Sequence, residues 1–141
     1  MNTKQQGNLA LARSIAHFSA NGYSIFLPIG DSAGAIDIVV SPDGIHLLRV
    51  QCKYTEHLHS EMSKRHPERM MYEVNLRQVK ERVDRLGIRQ PCYEKDAFDL
   101  LFISTPQDDY LINWTELCDE RGKVPSGLIL GKKTDQYKIK Q

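Results

Sequence analysis

The sequence predicts a single mixed α/β domain, and three observations carry that expectation. Apolar residues recur at helical spacing over residues 8–20 and again over residues 75–86. Short β-prone runs stand between and after these stretches, at residues 36–40, 45–54 and 98–104. The 141 residues suffice for one hydrophobic core, and no repeat or linker divides them, so residues 1–141 are expected to fold as one unit.

The elements follow in order. Leu11, Ile15 and Phe18 mark the apolar face of a first helix over residues 8–20, which Asn21-Gly22 ends. Tyr23 to Leu27 is a β-prone run stopped by Pro28, and residues 29–35 read as a loop. Ile36 to Val40 predicts a strand. Ser41-Pro42-Asp43-Gly44 is a turn, because proline presets φ and glycine accepts a positive one. Ile45 to Tyr54 then predicts the returning strand of a hairpin. Residues 55–69 are polar and read as a surface arm, and Arg69 to Val74 as a strand. Asn75 is placed to cap a second helix, with Leu76, Val79, Val83 and Leu86 on its apolar face and Gly87 as its stop. Phe98 to Ser104 predicts a buried strand. Tyr110 to Ile112 follows a turn, Asn113 and Glu116 resemble a capping box, and the tail predicts strands at Gly127 to Leu130 and Tyr137 to Ile139.

With 19 basic and 18 acidic residues the net charge is +1, which excludes a basic DNA-coating protein but leaves room for local positive charge. Residues 1–55 hold only three acidic side chains, Asp31, Asp37 and Asp43. Cys52, Cys92 and Cys118 are odd in number and lack paired spacing, so reduced thiols in a cytoplasmic protein are expected. No apolar run approaches the roughly 20 residues that span a bilayer. The first residues lack the apolar stretch of a signal peptide.

Alternation turns the predicted hairpin into a chemical argument. On its second strand Leu48, Val50 and Cys52 point one way, while Arg49, Gln51 and Lys53 point the other. The turn at residues 41–44 lies about midway between Asp37 and this set, so the hairpin brings an acid, an amide and an ammonium together. Phosphodiester hydrolysis uses such a set: a carboxylate and an amide oxygen hold Mg²⁺, and a lysine orients water or stabilises transition-state charge. Taken alone, the same spacing also describes an ordinary surface ion pair.

The stretch from Lys4 to Tyr54 adds a longer pattern: Lys4 and Gly7, Gly22-Tyr23, Pro28-Ile29-Gly30-Asp31, Ile36-Asp37 and Val50-Gln51-Cys52-Lys53. In order and spacing it resembles the PD-(D/E)XK nuclease superfamily, in particular the compact branch that includes intron-encoded homing endonucleases. Phe98 to Leu101 followed by Tyr110 to Ile112 is similar to that family's later hairpin. The resemblance implies a restriction-endonuclease-like core, a mixed central sheet flanked by helices. It implies Asp37 as metal ligand, Gln51 in the place of the usual Asp or Glu, Lys53 as catalytic lysine, and the Cys52 carbonyl as a further ligand. The implied cofactor is Mg²⁺ or Mn²⁺ and the implied substrate double-stranded DNA. One position departs: the family commonly has a glutamate four residues after the first glycine, and Leu11 stands there. That change leaves Asp37 the one clear acidic ligand, with Asp31 a loop candidate.

The arm offers Lys64, Arg65 and Arg69 either as phosphate contacts or as a solvated charged loop diluted by Glu61 and Glu68. His57, His59 and His66 lack a third ligand at zinc spacing and read as solvated histidines. Arg77, Lys80, Arg82 and Arg85 alternate with acids and read as an exposed helix face, and Trp114 as a core aromatic. The expected activity is therefore that of a Mg²⁺-dependent DNA endonuclease, with the site-specific homing type as its narrower form. A homodimer or homotetramer is expected, offering one site per strand. The alternative is a protein of the same fold that binds DNA or a partner without cutting, which Leu11 motivates.

Overall fold

The computed structural model describes residues 1–29, 34–76 and 93–140. Its first element, α1 (Thr3–Ala20), begins five residues earlier than apolar periodicity indicates. A local polar signal sets that start: Asn2 accepts from the Gln5 N–H at 2.9 Å, and the Gln5 side chain accepts from the Asn2 N–H at 2.9 Å. The helix ends where expected, with Gly22 at φ 79° and the Tyr23 N–H donating back to the Phe18 carbonyl.

Five strands form the main sheet: β1 (Ser24–Phe26), β2 (Ile38–Ser41), β3 (Leu48–Tyr54), β5 (Leu100–Ser104) and β6 (Asp109–Asn113), in the order β1-β2-β3-β5-β6. All neighbours are antiparallel except β3 and β5, which run parallel with Gln51 beside Leu101 and Lys53 beside Ile103. This is the expected mixed α/β architecture. Between β3 and β5 the chain forms α2 (Ser60–Arg65) and β4 (Tyr72–Asn75); after β6 come α3 (Trp114–Leu117) and β7 (Gly127–Leu130), which pairs with β4 in a second sheet.

Two apolar clusters hold the main sheet from its two faces. On one, α1 lays Ala10, Ser14 and Phe18 against Ile38, Val40, Val50, Leu100 and Phe102. The small residues Ala10 and Ser14 let the helix approach β3, and the buried Ser14 hydroxyl is satisfied by the Leu11 carbonyl at 2.8 Å. On the other face Leu101, Ile103, Tyr110 and Ile112 pack with Tyr93, Phe98, Trp114, Leu76, Val74 and Leu130. Every residue of β5 is buried, which explains why residues 98–104 read as a continuous apolar run rather than an alternating one.

Several expectations shift. The returning strand of the hairpin begins at Leu48 rather than Ile45. Asp43 holds the chain out of the sheet by accepting from the Ile45 and His46 N–H groups at 2.8 and 2.7 Å, while Ser41 Oγ accepts from Gly44. The polar arm contains α2, whose first turn is capped by His59 Nδ1 accepting from Met62 at 3.2 Å. Strand β4 spans Tyr72–Asn75, so Asn75 closes a strand. The helix expected beyond it, with Arg77, Lys80, Arg82, Arg85 and Cys92, lies outside the described residues. No side-chain cap forms at Asn113. Of the last expected strand, Tyr137 to Ile139, one bridge forms, between Lys138 and Tyr110, directly after a 3₁₀-helix, Lys132–Tyr137.

Candidate active site

The hairpin delivers the acid and the amide to one place. Asp37 immediately precedes β2, and its N–H donates to the Val50 carbonyl at 2.9 Å, which fixes its backbone against β3. Its Oδ2 accepts two hydrogen bonds, from the Cys52 N–H at 2.7 Å and from Gln51 Nε2 at 2.8 Å. The same Gln51 nitrogen donates to the Cys52 carbonyl at 3.1 Å. Two oxygens, one carboxylate and one peptide, thus converge on a single point that the Gln51 amide now fills. Gln51 is only 8% exposed, and its face of β3 is the one that carries Lys53.

Electrostatics couple the set. Burial raises the Asp37 pKa, opposed by the Cys52 N–H and by the charge of Lys53. Burial lowers the Lys53 pKa, opposed by Asp37. The Lys53 ammonium lies 5.5 Å from the centre of the Tyr93 ring, a cation–π contact. Tyr93 is itself buried and stands edge-on to Phe98, with centroids 5.1 Å apart, so the ring is held from behind. Its hydroxyl stays protonated, because burial and the nearby Asp37 charge push its pKa up.

Neighbouring side chains are excluded from this chemistry by their own contacts. Cys52 turns to the helix face, its thiol donating to Ser14 Oγ at 3.3 Å, and burial pushes its pKa up to about 12. Arg49 forks onto Asp99, with Nε–Oδ2 at 3.1 Å and Nη2–Oδ1 at 3.2 Å.

Beyond Lys53 opens a cleft of about 730 Å³, walled by Thr3, Gln6 and Gly7 of α1 and by Glu73 and Asn75 of β4. Gly7 is reached in the sequence only through the Lys4–Tyr54 pattern, and the other four are missed because they precede the apolar stripe of α1 or lie on the polar side of β4. Tyr93 is missed too, since no local signal ties it to Lys53. Leu11 does not line the cleft; it packs in the apolar cluster between α1 and the sheet. Lys64 and Arg65 stand exposed on the last turn of α2. Arg69 is brought elsewhere: its guanidinium grips Asp135, at 2.7 and 3.1 Å. Asp31 lies outside the described residues.

A hard, oxygen-only cation site fits the point where the Asp37 and Cys52 oxygens converge, provided the Gln51 amide turns to present Oε1. Among the described residues no group of three or more His, Cys, Asp or Glu side chains is placed to hold a metal, so softer, side-chain-only coordination does not fit. No helix among the described residues is long and apolar enough to cross a membrane.

No curated protein sequence matches the chain. Among solved structures the fold is similar to that of a bacterial homing endonuclease, I-Ssp6803I, at a TM-score of 0.69 and 21% identity, covering 100% of this chain and 85% of that one. The sequence model of the PD-(D/E)XK endonuclease family matches residues 1–118. The chain belongs to the PD-(D/E)XK endonuclease family.

Proposed function

We propose that the chain hydrolyses phosphodiester bonds of double-stranded DNA with a divalent cation, Mg²⁺ or Mn²⁺, as a site-specific endonuclease of the homing type. The observation that carries this reading is the convergence of Asp37 Oδ2 and the Cys52 carbonyl on one point, with Lys53 on the same face of β3. Asp37, the Cys52 carbonyl and the Gln51 amide oxygen would hold the cation, which when bound neutralises charge developing on the phosphate. Asp37 needs no further positioning, since the Cys52 N–H and the β3 backbone already fix its carboxylate. Gln51 exchanges a hydrogen-bond donor for an acceptor by rotating its amide. Lys53, held over Tyr93 and partly stripped of water, orients the attacking water as an amine or stabilises the pentavalent phosphorane charge as an ammonium.

Double-strand DNA is approached by exposed Lys64 and Arg65 on α2, with Arg69 anchoring the arm behind them. One site cuts one strand, so a symmetric homodimer or homotetramer supplies the second. The exposed apolar side chains Phe26, Leu27, Ile29, Ile45 and Leu47 support self-association.

Plasmid DNA is expected to be nicked and linearised with Mg²⁺ or Mn²⁺ and not with EDTA. Lys53→Met is expected to lower the rate by about 10²- to 10⁴-fold, the usual contribution of a positioned proton-transfer group. Equal rates for the wild type and Lys53→Met under both metals would sink the catalytic assignment.

A second reading has its own observation: α1 carries no Asp or Glu, so the cation would rest on a single carboxylate. A nuclease-fold protein that binds DNA without cutting then shows salt-dependent DNA retention, no metal-dependent nicking, and no cation affinity sensitive to Asp37→Asn.

A further inference from the structure

Gly7 sits inside an 18-residue helix, where glycine is less favourable than almost any other residue because it loses the most backbone freedom. Such a glycine ordinarily answers a steric need of the fold, a positive φ or a close neighbour. Gly7 has neither. It is not among the glycines with positive φ, and a side chain begun there would meet nothing within 4 Å. The contrast is Gly131, where an added Cβ would fall 2.3 Å from the Met71 side chain. The space over Gly7 is kept open by the sequence and not by the fold.

That space is the cleft beside Lys53. Around it stand neutral hydrogen-bonding groups, Thr3 and Gln6 on the near wall and Asn75 and Ser126 on the far one, with the Gln6 amide donating to Glu56 Oε1 at 3.0 Å. Among the described residues the lining carries one carboxylate, Glu73, which lies against the backbone of Gly127, with Oε1 3.4 Å from where a side chain at Gly127 would begin; Glu56 stands beside the lining, hydrogen-bonded to Gln6 and Tyr54. Neutral donors, one ammonium and a bare stretch of helix backbone match the sugar–phosphate chain of DNA, which most protein hydrogen bonds to DNA address.

We propose that Gly7 is a close-approach position for the DNA backbone: the strand whose phosphate is presented to Lys53 runs through this cleft and passes against α1 where the side chain is missing. The inference rests on the nuclease reading and adds the path of the strand. A Cβ at residue 7 displaces the strand, and with it the scissile bond, from the Lys53 face of β3.

The test sets stability against function in one series, Gly7→Ala and Gly7→Leu, with Asn8→Ala as control, since Asn8 is exposed on the same helix and does not line the cleft. Alanine at either position should raise the thermal midpoint by improving helix propensity. Gly7→Ala should bind a DNA duplex more weakly in a fluorescence anisotropy titration and cleave plasmid DNA about 10²-fold more slowly, the scale of an ångström's misplacement. Gly7→Leu should lose more on both counts, and Asn8→Ala should match the wild type. Unchanged binding and cleavage in both Gly7 variants, with the wild type active, overturns the strand path and leaves the nuclease reading standing. A lowered midpoint for Gly7→Ala overturns it as well, because the fold itself then needs the glycine. A wild type that neither binds nor cuts DNA overturns the nuclease reading, and the strand path with it.

Discussion

Gln51 fills with one NH₂ group the gap between the Asp37 and Cys52 oxygens, and this makes its replacement informative. Gln51→Glu puts a second carboxylate where the amide donates at 2.8 Å to Asp37 and 3.1 Å to the Cys52 carbonyl. Like charges and lone pairs then oppose across the site. The thermal midpoint should fall without metal and recover on adding Mg²⁺ or Mn²⁺, because the cation binds only the folded site. A midpoint indifferent to metal would contradict the ligand assignment. Asp37 gives the complementary case. Its pKa is raised above the ordinary 3.8, so the folded state holds its proton more tightly, and ionising it as pH rises costs stability. Asp37→Asn keeps an oxygen for the Cys52 and Gln51 donors and removes the charge. It should melt higher than the wild type at pH 7, the difference closing as pH falls through the raised folded value towards 3.8 and absent below it, while cleavage is lost. Melting curves across that range decide it.

Elements position these residues more than the residues position themselves. Strand β3 is the pivot of the arrangement: antiparallel to β2 on one side and parallel to β5 on the other, it cannot slip by one residue without turning Gln51 and Lys53 into the α1 cluster. Helix α1 reaches the cleft only because its first turn is capped. Replacing Asn2 with Ala removes the side-chain half of the capping box and should cost about 1 kcal/mol. The cost should appear in hydrogen exchange as faster exchange of the amides of the first turn, with residues near Phe18 unaffected. Uniform loss of protection along α1 would mean that packing and not the cap sets the helix start.

Across the whole molecule, charged pairs tie segments that are far apart in sequence. Arg49 to Asp99 joins the start of β3 to the residue before β5, and Arg69 to Asp135 pins the polar arm to the 3₁₀-helix. Asp99 and Asp135 both lie below the ordinary carboxylate range, chiefly through hydrogen bonds from these arginines. A depressed folded pKa contributes stability above the unfolded value of 3.8 and loses it as pH falls through the folded value. Arg69→Met should therefore lower the midpoint most at neutral pH and progressively less below 3.8. It should leave the salt dependence of DNA binding nearly unchanged, since that guanidinium is already committed. Replacing Lys64 and Arg65 with Ala should instead reduce the slope of log K against log salt by about one for each phosphate no longer neutralised. Acid titration and a salt series separate the two roles.

What travels locally was legible in the chain itself: the apolar period of α1, the proline–glycine turn between Asp37 and Lys53, the buried run of β5, and Gly127 to Leu130 as a strand. Asp37 could be placed against Gln51 in advance because strand alternation and a turn midway between them leave few other registers. Folding settled the rest, wherever the deciding partner is distant. Asp43 shortened β3 by capturing two amides, Asp135 claimed Arg69 from across 66 residues, and Tyr93 came beneath Lys53 through the second core. Leu11 shows the boundary most plainly. Its number along the chain suggests a lost carboxylate; it shares the helix face of Thr3 and Gly7, but one turn further on it packs in the apolar cluster, while Thr3, Gln6 and Gly7 wall the cleft. Local chemistry fixes period and turn; which face of an element meets a site depends on contacts made only once the chain has folded.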